Sequence, residues 1–151
     1  MLPRLLLLIL FCSFTAHSES INNGTERQIF ENGTPKYEIT YKNELKHGKE
    51  TFWYESGQKK MESHFFNGIE EGFWRQWHKN GQLKLEVMYI NGKKFGLWRQ
   101  WHKNGQSKSN VEFVNGIKQG AEIVWNQDGS VRSKDFYKNG KVIKLILIQD
   151  Q

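Results

Sequence analysis

Aromatic and apolar residues recur along this chain at a fixed interval of 24 residues, from residue 24 to about residue 143. Each repeat can be numbered from its opening glycine as position 0, which divides the chain into five units. A period of this size predicts a solenoid-like array, in which each unit buries its apolar side against its neighbours. The units are 24–47, 48–71, 72–95, 96–119 and 120–143; position 5 holds Ile29, Trp53, Trp77, Trp101 and Trp125, and position 17 holds Tyr41, Phe65, Tyr89, Phe113 and Tyr137.

Turn-forming dipeptides divide every unit into two segments. Asn-Gly, Ser-Gly or Asp-Gly ends at position 9, and Asn-Gly recurs at positions 19 and 20. Asn-Gly favours left-handed backbone conformations and therefore marks tight hairpin turns. The segments between the turns are rich in aromatic and β-branched residues, as strands are. Each unit is predicted to be a β-hairpin, and the five units to form an all-β open meander of roughly ten strands.

Alternation within the strands predicts a buried and a solvated face. In the second strand of the units, apolar residues such as Leu85 and Val87 occupy odd positions, whereas Lys84 and Glu86 occupy even positions. We therefore expect the odd positions, including the tryptophans at position 5, to form the core, and the even positions to face water. Charge pairing across strands explains the basic residues at position 12 and the glutamates at position 14 better than an anion site does.

The ends of the array depart from the pattern, as caps of a repeat protein should. The first unit has Ile29 in place of tryptophan, Pro35 in its second strand and Glu44 in place of glycine. The segment from Val142 to Ile148 is strongly apolar. We assign 144–151 to a capping strand and tail that folds over the last hairpin; pairing of this strand with a second chain is the alternative.

The first residues have the layout of a secretory signal peptide. A single positive charge precedes the apolar run 5–14, and small residues follow it. The run is shorter than the ~20 residues that a membrane span needs, so an uncleaved anchor is the less favoured alternative. We expect a signal peptide at 1–18, a short linker at 19–23, and an exported chain in the periplasm, in the cell envelope or secreted. Cys12 is the only cysteine, so the mature chain has no thiol for a disulfide or a metal site.

The formal net charge of +6 is spread along the array rather than concentrated in a block. Such a charge weakly favours acidic partners, and no nucleic-acid-binding motif accompanies it. The chain also lacks the serine-hydrolase, phosphate-loop and zinc-protease motifs. We therefore expect a protein that is not an enzyme and carries no cofactor.

The sequence Trp-Arg-Gln-Trp-His occurs in the two middle units only. Its first tryptophan, Trp74 or Trp98, stands at position 2, where other units have Glu26, Glu50 and Glu122. Exposed tryptophans beside amide and basic side chains are typical of protein-binding hot spots and of platforms on which sugars stack. Wrapping of the tryptophans over the sheet edge to complete its packing is the competing interpretation. The predicted partner-binding patch comprises Trp74, Gln76, His78, Lys84, Trp98, Gln100, His102 and Lys108.

A metal site at His78 and His102 is not expected. Equivalent positions in successive units should lie about 10 Å apart, since each unit adds two strand spacings of ~4.8 Å. Two ligand nitrogens at ~2.1 Å from one zinc ion cannot be so far apart.

The unit that begins Gly72-Phe-Trp-Arg-Gln-Trp-His-Lys-Asn-Gly and ends at Asn91-Gly92 resembles a MORN-repeat variant. More closely it resembles the bacterial YwqK-type proteins, which are labelled antitoxins of toxin–antitoxin systems, and the resemblance covers about 24–143. The resemblance implies a scaffold that binds a protein partner, and the antitoxin label implies that this partner is a toxin and the chain an antitoxin or immunity-type protein. The alternative is a cell-envelope or surface binder of glycan or anionic phospholipid; of these two ligands, the resemblance to MORN repeats implies only the phospholipid.

Overall fold

The structure, a computed structural model, describes residues 21–147. The predicted signal peptide at 1–18 and the last four residues lie outside this part. Regular structure within it consists entirely of β-strands, and no helix there could cross a membrane. The strands are β1 Gly24–Ile29, β2 Pro35–Lys42, β3 Leu45–Trp53, β4 Lys59–Phe66, β5 Ile69–Glu70, β6 Gly72–Trp77, β7 Leu83–Ile90, β8 Lys93–Trp101, β9 Ser107–Val114, β10 Ile117–Trp125, β11 Val131–Lys138 and β12 Lys141–Leu147.

All twelve strands belong to one antiparallel sheet, in which strands adjacent in sequence pair, except that β5 does not pair with β6. Segments β5 and β6 both pair with β4 and are separated only at Glu71, so together they take the place of one strand. The predicted all-β open meander of hairpin repeats is confirmed. A single-layer sheet of this kind has two faces and two rows of turns. Because no second layer covers it, its side chains are buried only by packing against those of adjacent hairpins.

The Asn-Gly turns form one edge of the sheet, which we call the Asn-Gly edge. Asn67 and Gly68 have φ angles of 49° and 80°, and the equivalent pairs of the later units are similar. Positive φ at both central residues is the requirement of a two-residue type I′ hairpin, which explains the recurrence of this dipeptide. Glu44 occupies the glycine position of the first unit with φ of 64°.

Five-residue turns form the opposite edge, which we call the long-turn edge. In the third unit the turn 78–82 is closed by two backbone bonds, from Gly81 N to His78 O at 2.9 Å and from His78 N to Gln82 O at 2.8 Å. Gly81 has φ of 84°. This is a turn followed by a glycine bulge, a standard hairpin geometry that places glycine at position 9.

The opening glycines of the second to fifth units lie at bulges. Glu86 pairs with Arg99 and Met88 with Phe95, so β8 carries two more residues than β7 between these pairs. Gly96 lies within the longer segment and has φ of 71°. Only glycine adopts such backbone angles readily, which explains why the period is marked by glycine.

The bulge in the last strand is smaller than the bulges at the opening glycines. Position 0 after the fifth unit is Lys144 rather than glycine, and β12 carries only one extra residue against β11. Contrary to the prediction of a cap that folds over the last hairpin, β12 lies in the sheet as its terminal strand from Lys141 onward. Its apolar side chains remain largely exposed: Val142 by 52%, Ile143 by 64%, Leu145 by 59% and Leu147 by 68%.

The most buried side chains lie on one face, which we call the valine face. Val87 and Val111 retain 1% and 0% of their exposed area, and Ile39 and Phe113 retain 8% each. Ser63, which is 1% exposed, occupies the position of Val87 in the second unit. The odd positions of the second strands therefore form the core, as predicted.

The opposite face carries ion pairs, and we call it the ion-pair face. The glutamates at position 14 pair across strands as expected, but with residues other than the basic series at position 12. Glu62, for example, binds Lys49 at 2.8 Å and Lys59 at 2.7 Å. Burial by itself raises the pKa of Glu62, yet the two ammonium groups outweigh it and the pKa lies below its ordinary value. The remaining pairs of this face are Arg27–Glu38, Arg75–Glu86 and Arg99–Glu86.

Candidate functional site

The tryptophans at position 2 lie on the valine face, and the prediction that they face water opposite the core is wrong. Trp74 pairs with Val87, and Trp98 pairs with Val111. Side chains at paired positions project from the same face of the sheet. The error has a simple origin, since each pair joins an even position of the first strand to an odd position of the second.

The tryptophans at position 5 were predicted to lie in the core, and this prediction is also wrong. Lys59, which binds Glu62 on the ion-pair face, has its ammonium group 5.7 Å from the centre of the Trp77 ring, and this contact places Trp77 on that face. Trp77 and Trp101 are half-buried. They cover the ends of the strands near the long-turn edge rather than the core.

Trp74 and Trp98 border a groove of about 160 Å³ on the valine face, which we call the tryptophan groove. Leu85 and Val87 also line it, and both tryptophans are half-buried. The structure thus supports part of each competing interpretation. The tryptophans contribute to packing over the valines, and their remaining surface lines an open groove. The other lining residues are Tyr89 and Lys94.

In other units, position 2 holds a glutamate with a partner on the same face. Lys46 binds Glu50, which also accepts a hydrogen bond from Ser63 at 2.8 Å. Lys118 binds Glu122 at 2.7 Å. The lysine in each pair stands two residues before the opening glycine, and the glutamate stands two residues after it.

The middle units use the same two positions differently. Glu70 precedes Trp74, and Lys94 precedes Trp98. Burial is the main cause of a raised pKa at Glu70, with Lys94 acting in the opposite direction. Burial also raises the pKa of Tyr89, assisted by the charge of Glu70. The end of the tryptophan groove nearest the Asn-Gly edge therefore carries a carboxylate, a phenol and an ammonium group close together.

His78 and His102 have a structural role at the long-turn edge. Nε2 of His78 lies 3.0 Å from the carbonyl oxygen of Trp101 in the next unit, and Nε2 of His102 lies 3.0 Å from that of Trp125. Tyr54 does the same in the second unit, donating its hydroxyl to the carbonyl oxygen of Trp77 at 2.8 Å. Position 6 therefore bonds successive turns together.

The turn asparagines form a parallel series of bonds. Asn80 donates to the carbonyl oxygen of Lys103 at 2.7 Å, and Asn104 donates to that of Gln127 at 2.9 Å. Asn32 makes the equivalent bond to Glu55. Each of the first four long turns is thus bonded to the turn that follows it. In the third and fourth units two side chains, a histidine and an asparagine, make these bonds.

The predicted eight-residue patch is divided between two places. Trp74, Trp98 and, by strand register, Gln76 and Gln100 lie on the valine face. The other members, His78, Lys84, His102 and Lys108, lie at the long-turn edge and line two hollows there.

Comparison with known families fits this architecture. The MORN repeat variant pattern matches residues 22–43, 46–67, 70–91, 96–115 and 118–139. These five matches cover more than half of the chain. The chain belongs to the MORN repeat variant family. Repeats of this class commonly bind proteins or membranes. A search of curated proteins finds no match.

Only some of the residues that line the tryptophan groove were predicted from the sequence. Leu85, Val87 and Tyr89 were predicted as core, and Lys94 was not singled out. Comparison of the units would have pointed to Lys94, because lysine precedes glutamate across the opening glycine in the second and fifth units but precedes tryptophan in the fourth.

Within residues 21–147, no group of three or more histidine, cysteine, aspartate or glutamate side chains could hold a metal ion. His78 and His102 each bond to a backbone carbonyl instead. The groove and the turns that the structure describes offer aromatic surface, amide groups and a few charges.

Proposed function

We propose that this MORN repeat variant protein is a scaffold without enzymatic activity that binds a protein partner in the tryptophan groove. The observation that supports this most directly is the pair Trp74 and Trp98, which replace paired glutamates only in the middle units. Tryptophan is among the residues most enriched in binding hot spots, where it lies in well-packed pockets. The half-buried state of both rings fits this role, because they are held in place by packing and still offer surface.

The size of the groove suggests how the partner is anchored. Its volume of about 160 Å³ is close to that of an engineered cavity of ~150 Å³ that binds benzene. One aromatic or branched apolar side chain of a partner would fill it. Gln76 and Gln100, on the same face, would offer amides to the backbone around that side chain.

The finer form of the proposal concerns export and the kind of partner. The signal-peptide-like start supports export to the cell envelope or beyond, and the resemblance to YwqK-type antitoxins supports a toxin as partner. An exported member of such a family would act as an immunity protein, which neutralises its partner by covering it.

The variant Trp98→Glu tests the groove with a residue that other units already have at position 2. Lys94 stands where Lys46 and Lys118 hold their glutamates, so the new carboxylate finds a partner. Proteins captured from an extract of the source cells by the immobilised chain would be purified, and their affinity measured by calorimetry. We expect at least a tenfold loss of affinity, about 1.4 kcal/mol, for Trp98→Glu.

Leu97→Glu provides the matched control, since Leu97 is the adjacent residue, is 48% exposed and projects from the opposite face. It introduces the same charge and should leave the affinity within about twofold. Equal losses in both variants, or an unchanged affinity in a folded Trp98→Glu protein, would rule out the tryptophan groove as the binding site.

A further inference from the structure

The long-turn edge carries a continuous basic hollow, separate from the tryptophan groove. One part has a volume of about 440 Å³ and is lined by Tyr54, His78, Lys79, Asn80, Lys84 and Lys103. A second part, of about 280 Å³, shares His78 and Lys103 with the first and extends to Trp101, His102 and Lys108. We call the two together the lysine trough. It runs across the strands, along the axis of the array.

In the part of the chain that the structure describes, no ion pair joins an acidic side chain to a lysine of the trough. By contrast, Lys46, Lys49, Lys59 and Lys118 each bind a glutamate within 2.8 Å. The four trough lysines are solvent-exposed, and no acidic residue lines the hollows. The trough lysines are Lys79, Lys84, Lys103 and Lys108.

The charge of the trough is concentrated in the middle units. Position 7 holds Glu31 and Glu55 in the first two units and Gln127 in the fifth, but Lys79 and Lys103 in the third and fourth. The same two units carry the histidines. A general requirement for solubility would not place the extra lysines on one edge of two neighbouring units.

The floor of the trough is held rigid by the bonds between turns. His78 and His102 are fixed to the carbonyl groups of Trp101 and Trp125, and Asn80 to that of Lys103. The rings that line the trough are therefore oriented before any ligand arrives, which lowers the entropic cost of binding.

We propose that the lysine trough binds a linear acidic polysaccharide, whose carboxylate or sulfate groups pair with the lysines and whose sugar rings pack on the aromatic rings. Successive units repeat about every 10 Å, from two strand spacings of ~4.8 Å. A polyuronate, which carries a carboxylate on every sugar, can therefore present carboxylates to the pair of lysines in each unit. This binding is additional to the protein partner proposed above and uses none of the groove residues.

Two other polyanions fit the trough less well. An acidic peptide would need partners for its backbone, but the turn carbonyls of Trp101, Lys103 and Trp125 already accept side-chain bonds. An anionic membrane would require exposed apolar side chains nearby for insertion. In the middle units the large exposed apolar side chains are Phe73, Phe95, Leu97, Val114 and Ile117, and none of them lines the trough.

The test uses alginate oligosaccharides, which are linear polyuronates, with the full repeat array. Lys79→Gln/Lys103→Gln removes two charges from the trough. Lys93→Gln/Lys138→Gln removes the same net charge near the Asn-Gly edge. We expect wild-type binding that weakens with rising salt, a loss of about fivefold to tenfold in the trough variant, and less than a twofold change in the control.

Three comparisons can overturn the proposal. Equal losses in both double variants would indicate attraction by net charge alone. Equal, trough-dependent affinity for polyglutamate would indicate an acidic peptide, and stronger trough-dependent binding of anionic phospholipid vesicles would indicate a membrane. A wild-type protein that does not bind alginate at low salt would also refute it.

The outcome is independent of the tryptophan groove. Trp98→Glu should bind alginate as the wild type does, because Trp98 does not line the trough. Loss of polyuronate binding in that folded variant would contradict a separate site, whereas failure to find a protein partner would leave the polyuronate result unaffected.

Discussion

Trp98 lies directly opposite Val111 in the pairing of β8 with β9, and Val111 has no exposed surface. A single-layer sheet has no second layer to cover its core, so large side chains at position 2 must help to cover position 15. The residue at position 2 consequently serves both folding and recognition. The effect of a substitution there depends on the charge of the residue two positions before the opening glycine, which is Glu70 in the third unit and Lys94 in the fourth.

Trp98→Glu should be better tolerated than Trp98→Ala. The alanine variant uncovers the valine face and should cost about 2 kcal/mol of unfolding free energy, since Trp98 is only half-buried. The glutamate variant regains a contact with Lys94, and an exposed ion pair is worth up to about 1 kcal/mol. Urea denaturation of both variants would show the order, and a less stable glutamate variant would contradict it.

Trp74→Glu should be more destabilising than Trp98→Glu, because the residue two positions before the opening glycine is Glu70 in the third unit and Lys94 in the fourth. We expect a difference of about 1 kcal/mol at neutral pH, and recovery of a similar amount in Glu70→Lys/Trp74→Glu. That double variant reproduces the lysine–glutamate pattern of the second and fifth units. Thermal unfolding of the single and double variants measures the coupling energy between positions 70 and 74. Additive effects of the two substitutions would show that these positions do not interact.

Replacing His78 separates its bond to the next unit from its bulk. His78→Phe removes the partner of the Trp101 carbonyl oxygen and should cost about 1 kcal/mol. His78→Tyr copies Tyr54, which makes the same bond in the second unit, and should stay within about 0.5 kcal/mol of wild type. Equal denaturation midpoints for the phenylalanine and tyrosine variants would show that the bond contributes nothing.

Glu44→Gly should stabilise the protein. Glu44 has φ of 64°, and a left-handed conformation costs a residue with a side chain about 1–2 kcal/mol. Part of that gain is offset because glycine has more freedom in the unfolded chain, so we expect about 0.5–1 kcal/mol. The reverse change at Gly68, which has φ of 80°, should destabilise by a similar amount in the same urea assay.

Glu62 should make stability depend on pH. Its folded-state pKa is lowered by Lys49 and Lys59 in spite of burial, so it stabilises the fold above its ordinary value of 4.5. This stabilisation is lost as pH falls below 4.5 and through the folded-state pKa. The difference in unfolding free energy between wild type and Glu62→Gln should therefore narrow with acidification, and a difference that does not change with pH would contradict the role.

The sequence revealed the architecture because backbone chemistry repeats, with Glu44 as the departure, at the places that define it. Asn67-Gly68 and its equivalents require positive φ, and Gly96 and its equivalents sit at bulges, so both are visible as a period. The face of Trp74 was not visible in this way. It depends on how many residues the long turn and its bulge insert between paired strands, and a count along the chain through the turn gave the opposite face.

The candidate site was predicted in composition but not in arrangement. The duplicated Trp-Arg-Gln-Trp-His singled out the two middle units, yet its members separate into Trp74 on the valine face and His78 at the long-turn edge. Alternation places neighbours on opposite faces only within a strand, and His78 lies beyond the strand end. The recurrence of tyrosine or histidine at position 6 was the available indication of a bond between units.

The hydrogen bonds between successive turns have a direction, from donor unit to acceptor unit, and this direction is opposite at the two edges. At the long-turn edge the earlier unit donates to the later one, as from Asn80 to Lys103. At the Asn-Gly edge the backbone of the later unit donates to that of the earlier one, as from Gly68 N to Lys46 O. Shortening the array from either terminus therefore deprives donors of their acceptors at one edge. Neither end can unravel without breaking such bonds, and a stable shorter form would need a new terminal unit.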